Sequence, residues 1–291
     1  MILRNIQKKA LEQLKIKFPE LREQVLILEI QELLCKVLDC VREKLITDSQ
    51  KELSQNQIEV FNSYLNRRLK NEPLAYILNS QDFYSLSFYV DKNVLIPRPE
   101  TEILVERAIE LLNSNPLSSN KSFTEVIDIG TGSGAIILSV ANAFRQSGIS
   151  FTALDLSIEA CKIATKNAKN LGLDINILQS DLLSSYNVKN SPTLFLSNPP
   201  YIADAEELML DVQNYEPALA LRGGELGVEI VYRILELFAD SLKLNENNIL
   251  LLEIGINQHS DVLSHARKLN IQVLNIYKDS QGINRIMELG A

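Results

Sequence analysis

From the start of the chain to about residue 70, apolar positions recur at intervals of three and four. Ile30, Leu33, Leu34, Val37, Leu38 and Val41 carry the spacing, which is that of amphipathic helices. The stretch contains no glycine and only Pro19, and it predicts a helical domain over residues 1–75. Between Pro73 and Pro99 the texture changes to β-branched and aromatic residues, from Phe83 to Val90 and from Val94 to Pro97. That change predicts a β-hairpin linker over 76–97. Past Glu100 a helical segment at 101–114 leads into short apolar runs at 125–129, 151–155, 175–179, 193–197, 248–254 and 271–277. Segments long enough for crossover helices, such as 139–147 and 158–170, separate the runs. The order predicts an α/β catalytic domain over 98–291 with a mainly parallel, doubly wound, Rossmann-like sheet. Residues 113–122 read as a polar loop.

Composition narrows the class. Hydrophobic residues make up 46% of the chain and charged residues 23%, the balance of a globular protein. The beginning lacks the apolar core and cleavage site of a secretory signal, and no apolar run approaches the ~18 residues of a membrane span, which predicts a cytoplasmic protein without a membrane partner. Cys35, Cys40 and Cys161 form no CxxC pair and are expected to be reduced; His259 and His265, six apart, do not suit a helical metal site, so no metal is expected. The net charge is −8. Residues 1–70 carry 13 basic and 10 acidic residues, or +3, leaving 16 and 27, or −11, for the remainder. Such an acidic catalytic part speaks against a phosphate-backbone partner, and no direct nucleic-acid substrate is expected.

The first chemical signal is Gly130-Thr131-Gly132-Ser133-Gly134, at the end of the first apolar run and the start of a helix. Glycines let the chain turn sharply and approach a ligand, and a helix amino terminus offers free N–H groups. A glycine pattern alone is weak, because nicotinamide and flavin proteins share it. Two acids sharpen it. Asp155 ends the second run, 21 residues after Gly134, where a carboxylate can accept from both ribose hydroxyls; Asp181 follows the third, where it could reach an adenine amino group. This pattern resembles that of class I S-adenosylmethionine-dependent methyltransferases.

The second signal is Asn198-Pro199-Pro200-Tyr201, after the fourth run. Two prolines remove two N–H donors and stiffen the backbone, so the loop becomes a surface of acceptors. The Asn198 side-chain oxygen and the Pro199 carbonyl can each accept one hydrogen from a flat NH2 group, with Tyr201 packed against its face. The chemistry this suits is direct in-line transfer of a sulfonium methyl to that nitrogen, with no covalent enzyme intermediate. A glutamine amide, adenine and cytosine all present such a group, and the motif does not choose among them.

The wider pattern chooses. With Pro73 to Ile77, Asp82-Phe83-Tyr84, Ile96 to Glu102, Asp128 to Gly134, Asn198 to Ile202 and Tyr215-Glu216-Pro217, the chain closely resembles the PrmC/HemK family of protein-(glutamine-N5) methyltransferases. The resemblance runs from about residue 25 to the end. It implies S-adenosyl-L-methionine as methyl donor, S-adenosyl-L-homocysteine as product, and the glutamine of the Gly-Gly-Gln motif in class 1 peptide chain release factors as acceptor. It also implies that Gly130, Thr131, Gly132, Ser133, Gly134 and Asp155 hold the cofactor, that Asp181 and Leu182 line its adenine, and that Asn198 touches both cofactor and substrate. Asn198, Pro199, Pro200 and Tyr201 would receive the glutamine, with Asn198, Pro199 and Tyr201 catalytic, and Arg98, Glu100 and Thr101 would close the site. The helical domain, slightly basic, would meet the release factor. Two departures stand out: Asn79 where the family usually has glycine, which bears on the hinge turn, and Leu182 where some members have an aromatic residue. The alternative function is an amino-methyltransferase acting on adenine or cytosine of nucleic acid.

Overall fold

A computed structural model describes residues 2–114 and 122–291, so most of the polar loop expected at 113–122 lies outside the described residues. The chain divides into two compact units, one of residues 1–79 with 209–215 and one of 80–208 with 216–291.

In the first unit the three-and-four spacing folds as α1 (Leu3–Lys17), α2 (Glu23–Leu38), α3 (Arg42–Thr47), α4 (Gln55–Leu69) and the short α5 (Leu74–Leu78). Leu14 of α1, Leu26, Leu33 and Leu34 of α2 and Phe61 of α4 form one buried apolar cluster. Ser54 starts α4 with a capping box, its hydroxyl accepting from Gln57 N and the Gln57 side chain accepting from Ser54 N. Arg68 is drawn into this core with its charge answered: it is bidentate on Glu29 at 2.9 and 3.1 Å and lies over the Phe18 ring. Asn79 ends α5 in the left-handed region, φ 54°. Asparagine is the residue after glycine that tolerates this conformation, so the departure from glycine keeps the turn.

The second unit opens with a hairpin, β1 (Gln81–Phe83) and β2 (Leu86–Phe88), turned by Tyr84 and Ser85, both at positive φ. Two successive left-handed residues make the tight turn whose twist suits a hairpin. The linker expected over 76–97 thus differs in extent: Leu74–Leu78 is helical and groups with the first unit, whereas the hairpin groups with the second. A single 3₁₀ turn, Pro99–Thr101, leads into α6 (Glu102–Ser114).

Then follow β3 (Glu125–Ile129), α7 (Ala135–Ala143), β4 (Ser150–Asp155), α8 (Ile158–Leu171), β5 (Asn176–Gln179), β6 (Thr193–Ser197) and β7 (Ile202–Ala203). The chain continues through α9 (Leu210–Tyr215), β8 (Arg222–Gly224), α10 (Glu229–Leu244), β9 (Ile249–Glu253), α11 (His259–Lys268), β10 (Gln272–Lys278) and β11 (Asn284–Gly290). Residues 209–215, which hold α9, fall within the range expected for the catalytic domain; they group instead with the helical unit, where the Tyr215 hydroxyl donates to Lys70 O at 2.9 Å.

Seven strands form the main sheet in the order β10-β11-β9-β6-β3-β4-β5. From β5 to β9 the neighbours are parallel, and β11 runs antiparallel to both β9 and β10. Side chains alternate between two apolar layers: Val126, Leu194 and Leu251 enter one with α6 and α7, while Ile127, Phe195 and Leu250 enter the other with α10 and α11. This is the class I methyltransferase architecture expected from the sequence. Chain order runs outward from β3 to β5, then returns to β6 on the other side of β3, so the carboxyl ends of β3, β4 and β6 surround the crevice of the switch point. Among the described residues no helix is long and apolar enough to cross a membrane, and no group of three or more His, Cys, Asp or Glu is placed to hold a metal ion.

Candidate active site

A cavity of about 200 Å³ occupies that crevice. The glycine-rich loop forms its floor. Gly130 and Gly132 sit at φ 79° and 56°, and the space a Cβ would take at each is open. Gly134 serves packing instead: a Cβ there would lie 2.8 Å from Leu138 Cδ1 and 3.3 Å from Ala164 Cβ, so glycine lets α7 and α8 approach. Three side chains pin the loop. The Thr131 hydroxyl donates to Asp128 Oδ2 at 2.7 Å, Gly132 N donates to Asp155 Oδ2 at 2.8 Å, and Asn167 Nδ2 donates to Ser133 O at 2.8 Å. Asn167, buried on α8, also brackets Tyr89 by accepting from its N–H and donating to its carbonyl, which ties the segment after the hairpin to the same loop.

Asp155 ends β4 at the cavity wall. Its Oδ1 accepts from Ser157 N at 2.8 Å and its Oδ2 from Gly132 N, so each oxygen has one backbone donor and keeps acceptor capacity. Burial raises its pKa, and the two backbone bonds oppose that rise. Beneath it, Asp128 is fully buried, and burial pushes its carboxyl up to about 7 against the opposing hydrogen bonds from Thr131 and the Ile137 backbone. Asp181 lines the opposite wall, where Arg233 donates to its Oδ2 at 2.8 Å. Leu182 beside it holds a positive φ of 51°, and Leu156, directly after Asp155, lines the cavity and is half exposed.

At the end of β6, Asn198 reaches the cavity with its amide already oriented. Nδ2 donates to the Thr101 hydroxyl at 3.0 Å, which leaves Oδ1 as the end with free acceptor capacity. Arg98 forms a salt bridge with the buried Glu216, which also accepts from Ile96 N at 3.2 Å; this joins the loop before α6 to the Pro217–Arg222 wall. Tyr201 turns away: its hydroxyl donates to the buried Glu253 at 3.4 Å, and its pKa is raised by burial and by that carboxylate.

The structure therefore brings Arg98, Thr101, Gly130 to Ser133, Asp155, Asp181, Leu182, Asn198 and Pro200 to one cavity, whereas Glu100, Gly134, Pro199 and Tyr201 do not line it. Reasoning from the sequence passed over Glu216, Asn167, Leu156, Arg233 and Glu253. Glu216 lay within a quoted motif without a role; Asn167, Arg233 and Glu253 lie in helices or a run whose apolar pattern masks a single polar side chain, and Leu156 is an ordinary apolar residue in the turn after β4.

Residues 8–78 match the PrmC N-terminal domain and residues 105–220 the methyltransferase small domain. A release factor glutamine methyltransferase of Thermodesulfovibrio yellowstonii is 37% identical over 269 residues, covering 90% of this chain and 92% of the relative. The chain belongs to the release factor glutamine methyltransferase family. Another relative carrying this family's name, from Rhodopirellula baltica, is 36% identical over 269 residues, covering 90% and 88%. A bifunctional methyltransferase of Rickettsia typhi is 35% identical over 304 residues, which take in 99% of this chain; the chain spans only 56% of that longer protein. Among solved structures, the human METTL16 catalytic domain in complex with a MAT2A hairpin gives a TM-score of 0.54 at 16% identity, covering 78% of this chain and 81% of that one. The human METTL16 N-terminal domain in complex with SAH gives 0.52 at 20% identity, covering 77% and 83%. At such identities the likeness is one of fold, and it agrees with the sheet order described above.

Proposed function

We propose that the chain methylates the side-chain amide nitrogen of a glutamine, the one in the Gly-Gly-Gln motif of class 1 peptide chain release factors. The observation that carries this reading is the Asn198 amide, whose nitrogen is taken up by Thr101 and whose oxygen remains to accept from a flat NH2. S-adenosylmethionine supplies an electrophilic methyl on a sulfonium. The cavity suits it: open glycines at Gly130 and Gly132 allow close approach, and Asp155 keeps one acceptor position on each oxygen for a pair of ribose hydroxyls. Thr131 and Ser133 line the same floor, Gly134 supports it by packing, and Leu156, Leu182 and Asp181 frame the adenine.

An amide nitrogen is a poor nucleophile because its lone pair is delocalised. Asn198 Oδ1 and the Pro199 carbonyl each take one N–H of the glutamine, which aims the nitrogen in line with the methyl and stabilises it as it pyramidalises. The N–C bond forms as the S–C bond breaks, and the surplus amide proton leaves to solvent. Pro200 and Tyr201 hold the loop that presents these acceptors, and Arg98, Glu100 and Thr101 close the approach. Glycines ahead of the glutamine present no side chain to a narrow entrance. The slightly basic helical unit contributes release-factor binding, because three residues offer too little surface for selective recognition. The protein acts in the cytoplasm, where release factors work.

Tandem mass spectrometry of a release factor co-expressed with and without this protein tests the proposal. The expected result is 14 Da, the mass of a methylene, added to the glutamine of Gly-Gly-Gln alone, as the net exchange of H for CH3 requires. A methyl on adenine, on arginine or on another glutamine refutes it.

A further inference from the structure

The segment between β2 and the 3₁₀ turn, residues 89–98, carries polar side chains that the cofactor loop and the Asn198 turn do not account for. Asn93, Val94, Leu95, Pro97 and Arg98 line the cavity, so this stretch is one of its walls, and it leads on to Thr101, the partner of Asn198. Asp91 organises it. Its Oδ1 accepts from Asn93 N at 2.9 Å and from Asn93 Nδ2 at 2.8 Å, its Oδ2 accepts from the Tyr89 hydroxyl at 3.2 Å, and its carbonyl accepts from Val94 N at 3.1 Å. Tyr89 is bracketed in turn by Asn167, whose Nδ2 also donates to Ser133 O in the cavity floor. Hydrogen bonds thus run without a break from the glycine-rich loop through Asn167, Tyr89 and Asp91 to Asn93.

This chain decides which way the Asn93 amide is turned. A carboxylate can only accept, so the amide gives Asp91 its NH2. The oxygen is then the end of this cavity-lining amide with acceptor capacity for a ligand. The Asp91 charge behind the amide polarises it and adds negative potential at that oxygen, which favours a cationic donor and repels an anion. S-adenosylmethionine offers three candidates for such a wall. Its sulfonium is cationic but has no hydrogen to donate, its adenine amino group donates but is neutral, and its α-ammonium is both cationic and a donor.

We propose that Asn93 binds the α-ammonium of the cofactor's methionine part through Oδ1, with Asp91 as the residue that holds the amide in that orientation. This rests on the reading of the cavity as the S-adenosylmethionine site. It gives the wall before Thr101 a task distinct from that of Asp155: Asp155 takes the ribose, and Asn93 takes the amino-acid end.

The test is titration calorimetry of the full-length protein and of Asn93→Ala with three ligands: S-adenosylhomocysteine, its desamino analogue, which carries hydrogen in place of the ammonium, and 5′-methylthioadenosine, which lacks the amino-acid part altogether. A hydrogen bond between an amide and a charged group is worth about tenfold or more in Kd. Asn93→Ala should therefore weaken S-adenosylhomocysteine about tenfold and the other two ligands less than about twofold, so that the advantage of S-adenosylhomocysteine over its desamino analogue shrinks by the same factor. Asn93→Ser, too short to reach as the amide does, should give the same pattern if the alanine variant does not fold. A residue that only supports the wall would weaken all three ligands alike, and one that met adenine would weaken 5′-methylthioadenosine as much as the others; either result, or an unchanged affinity for S-adenosylhomocysteine, overturns the proposal. No release factor enters the measurement, so a failure to methylate glutamine leaves it intact. A wild type that binds no S-adenosylhomocysteine overturns the cofactor reading and this inference together, whereas normal binding with equal losses overturns the inference alone.

Discussion

Replacing Asp155 by alanine is the sharpest test of the cofactor cavity, because the residue has two jobs that can be measured apart. One oxygen accepts from Gly132 N and the other from Ser157 N, both at 2.8 Å, and each keeps acceptor capacity for the ribose hydroxyls of the proposed function. Hydrogen bonds to a charged acceptor contribute about 1.5–3 kcal/mol each, so losing two would cost at least about 3 kcal/mol, or roughly 10²-fold in Kd. Releasing Gly132 adds to the loss by loosening the loop. Asp155→Asn separates these effects: it keeps the size and one acceptor, but its NH2 must face either the Gly132 N–H or the Ser157 N–H. Its affinity should fall between wild type and alanine. Titration calorimetry with S-adenosylhomocysteine reads the affinity, and amide hydrogen exchange at Gly132 reads the loop. Burial holds the Asp155 pKa above its ordinary value, so binding, which uses the charged form, should weaken as pH falls toward that pKa. Alanine affinity within about threefold of wild type, less than about 0.7 kcal/mol, would remove Asp155 from the binding site and with it the ribose assignment.

Three further outcomes follow from the same geometry. Asn198→Ala should lower single-turnover methylation about 10²–10³-fold with S-adenosylhomocysteine affinity nearly intact; equal losses in both would make Asn198 a binding residue only. Arg98→Ala leaves Glu216 buried with only the Ile96 N–H, and should destabilise the fold by about 3 kcal/mol in denaturant unfolding, with part of the loss recovered by adding Glu216→Gln. No recovery in the double variant would show that the charge on Glu216 is not what the pairing answers. Asp128, pushed up to about 7, keeps a proton in the folded state that the unfolded chain releases near pH 4, so stability should fall as pH rises between those values. Glu253, also pushed up to about 7 by burial, contributes in the same direction. Asp128→Asn removes its share, and the thermal midpoint should then decline less steeply across that range; parallel curves would contradict the burial argument.

What was legible in the chain is what local chemistry decides. Helices α1, α2 and α4 follow from apolar residues at three and four, and β3 and β6 from runs buried on both faces. The cofactor loop and the Asn198 turn announce themselves because glycine and proline restrict the backbone wherever they stand. The strand β11, Asn284–Gly290, escaped because its first residues are polar, with Arg285 answered by Asp279 only once the preceding turn has formed. The helix α9 escaped in a different way. Its six residues bury no side chain, so no pattern in them tells which unit they join.

The remaining gap concerns direction. The sequence marks Asn198 and Thr101, but 97 residues separate them, and 52 separate Tyr201 from Glu253. No spacing rule operates over such distances; Tyr201 and Glu253 meet because β6 and β9 lie side by side, and Thr101 reaches Asn198 from the 3₁₀ turn before α6, a helix packed on the same sheet. Their meeting decides chemistry that the residue type leaves open. An asparagine side chain offers an acceptor and a donor of nearly the same shape, and catalysis of transfer to an NH2 group requires the acceptor to face inward. The amide itself has no preference. The neighbour makes the choice, the Thr101 hydroxyl taking the amide NH2 at 3.0 Å, which is why a motif of four residues can be read for the kind of group it binds and not for how firmly it is aimed.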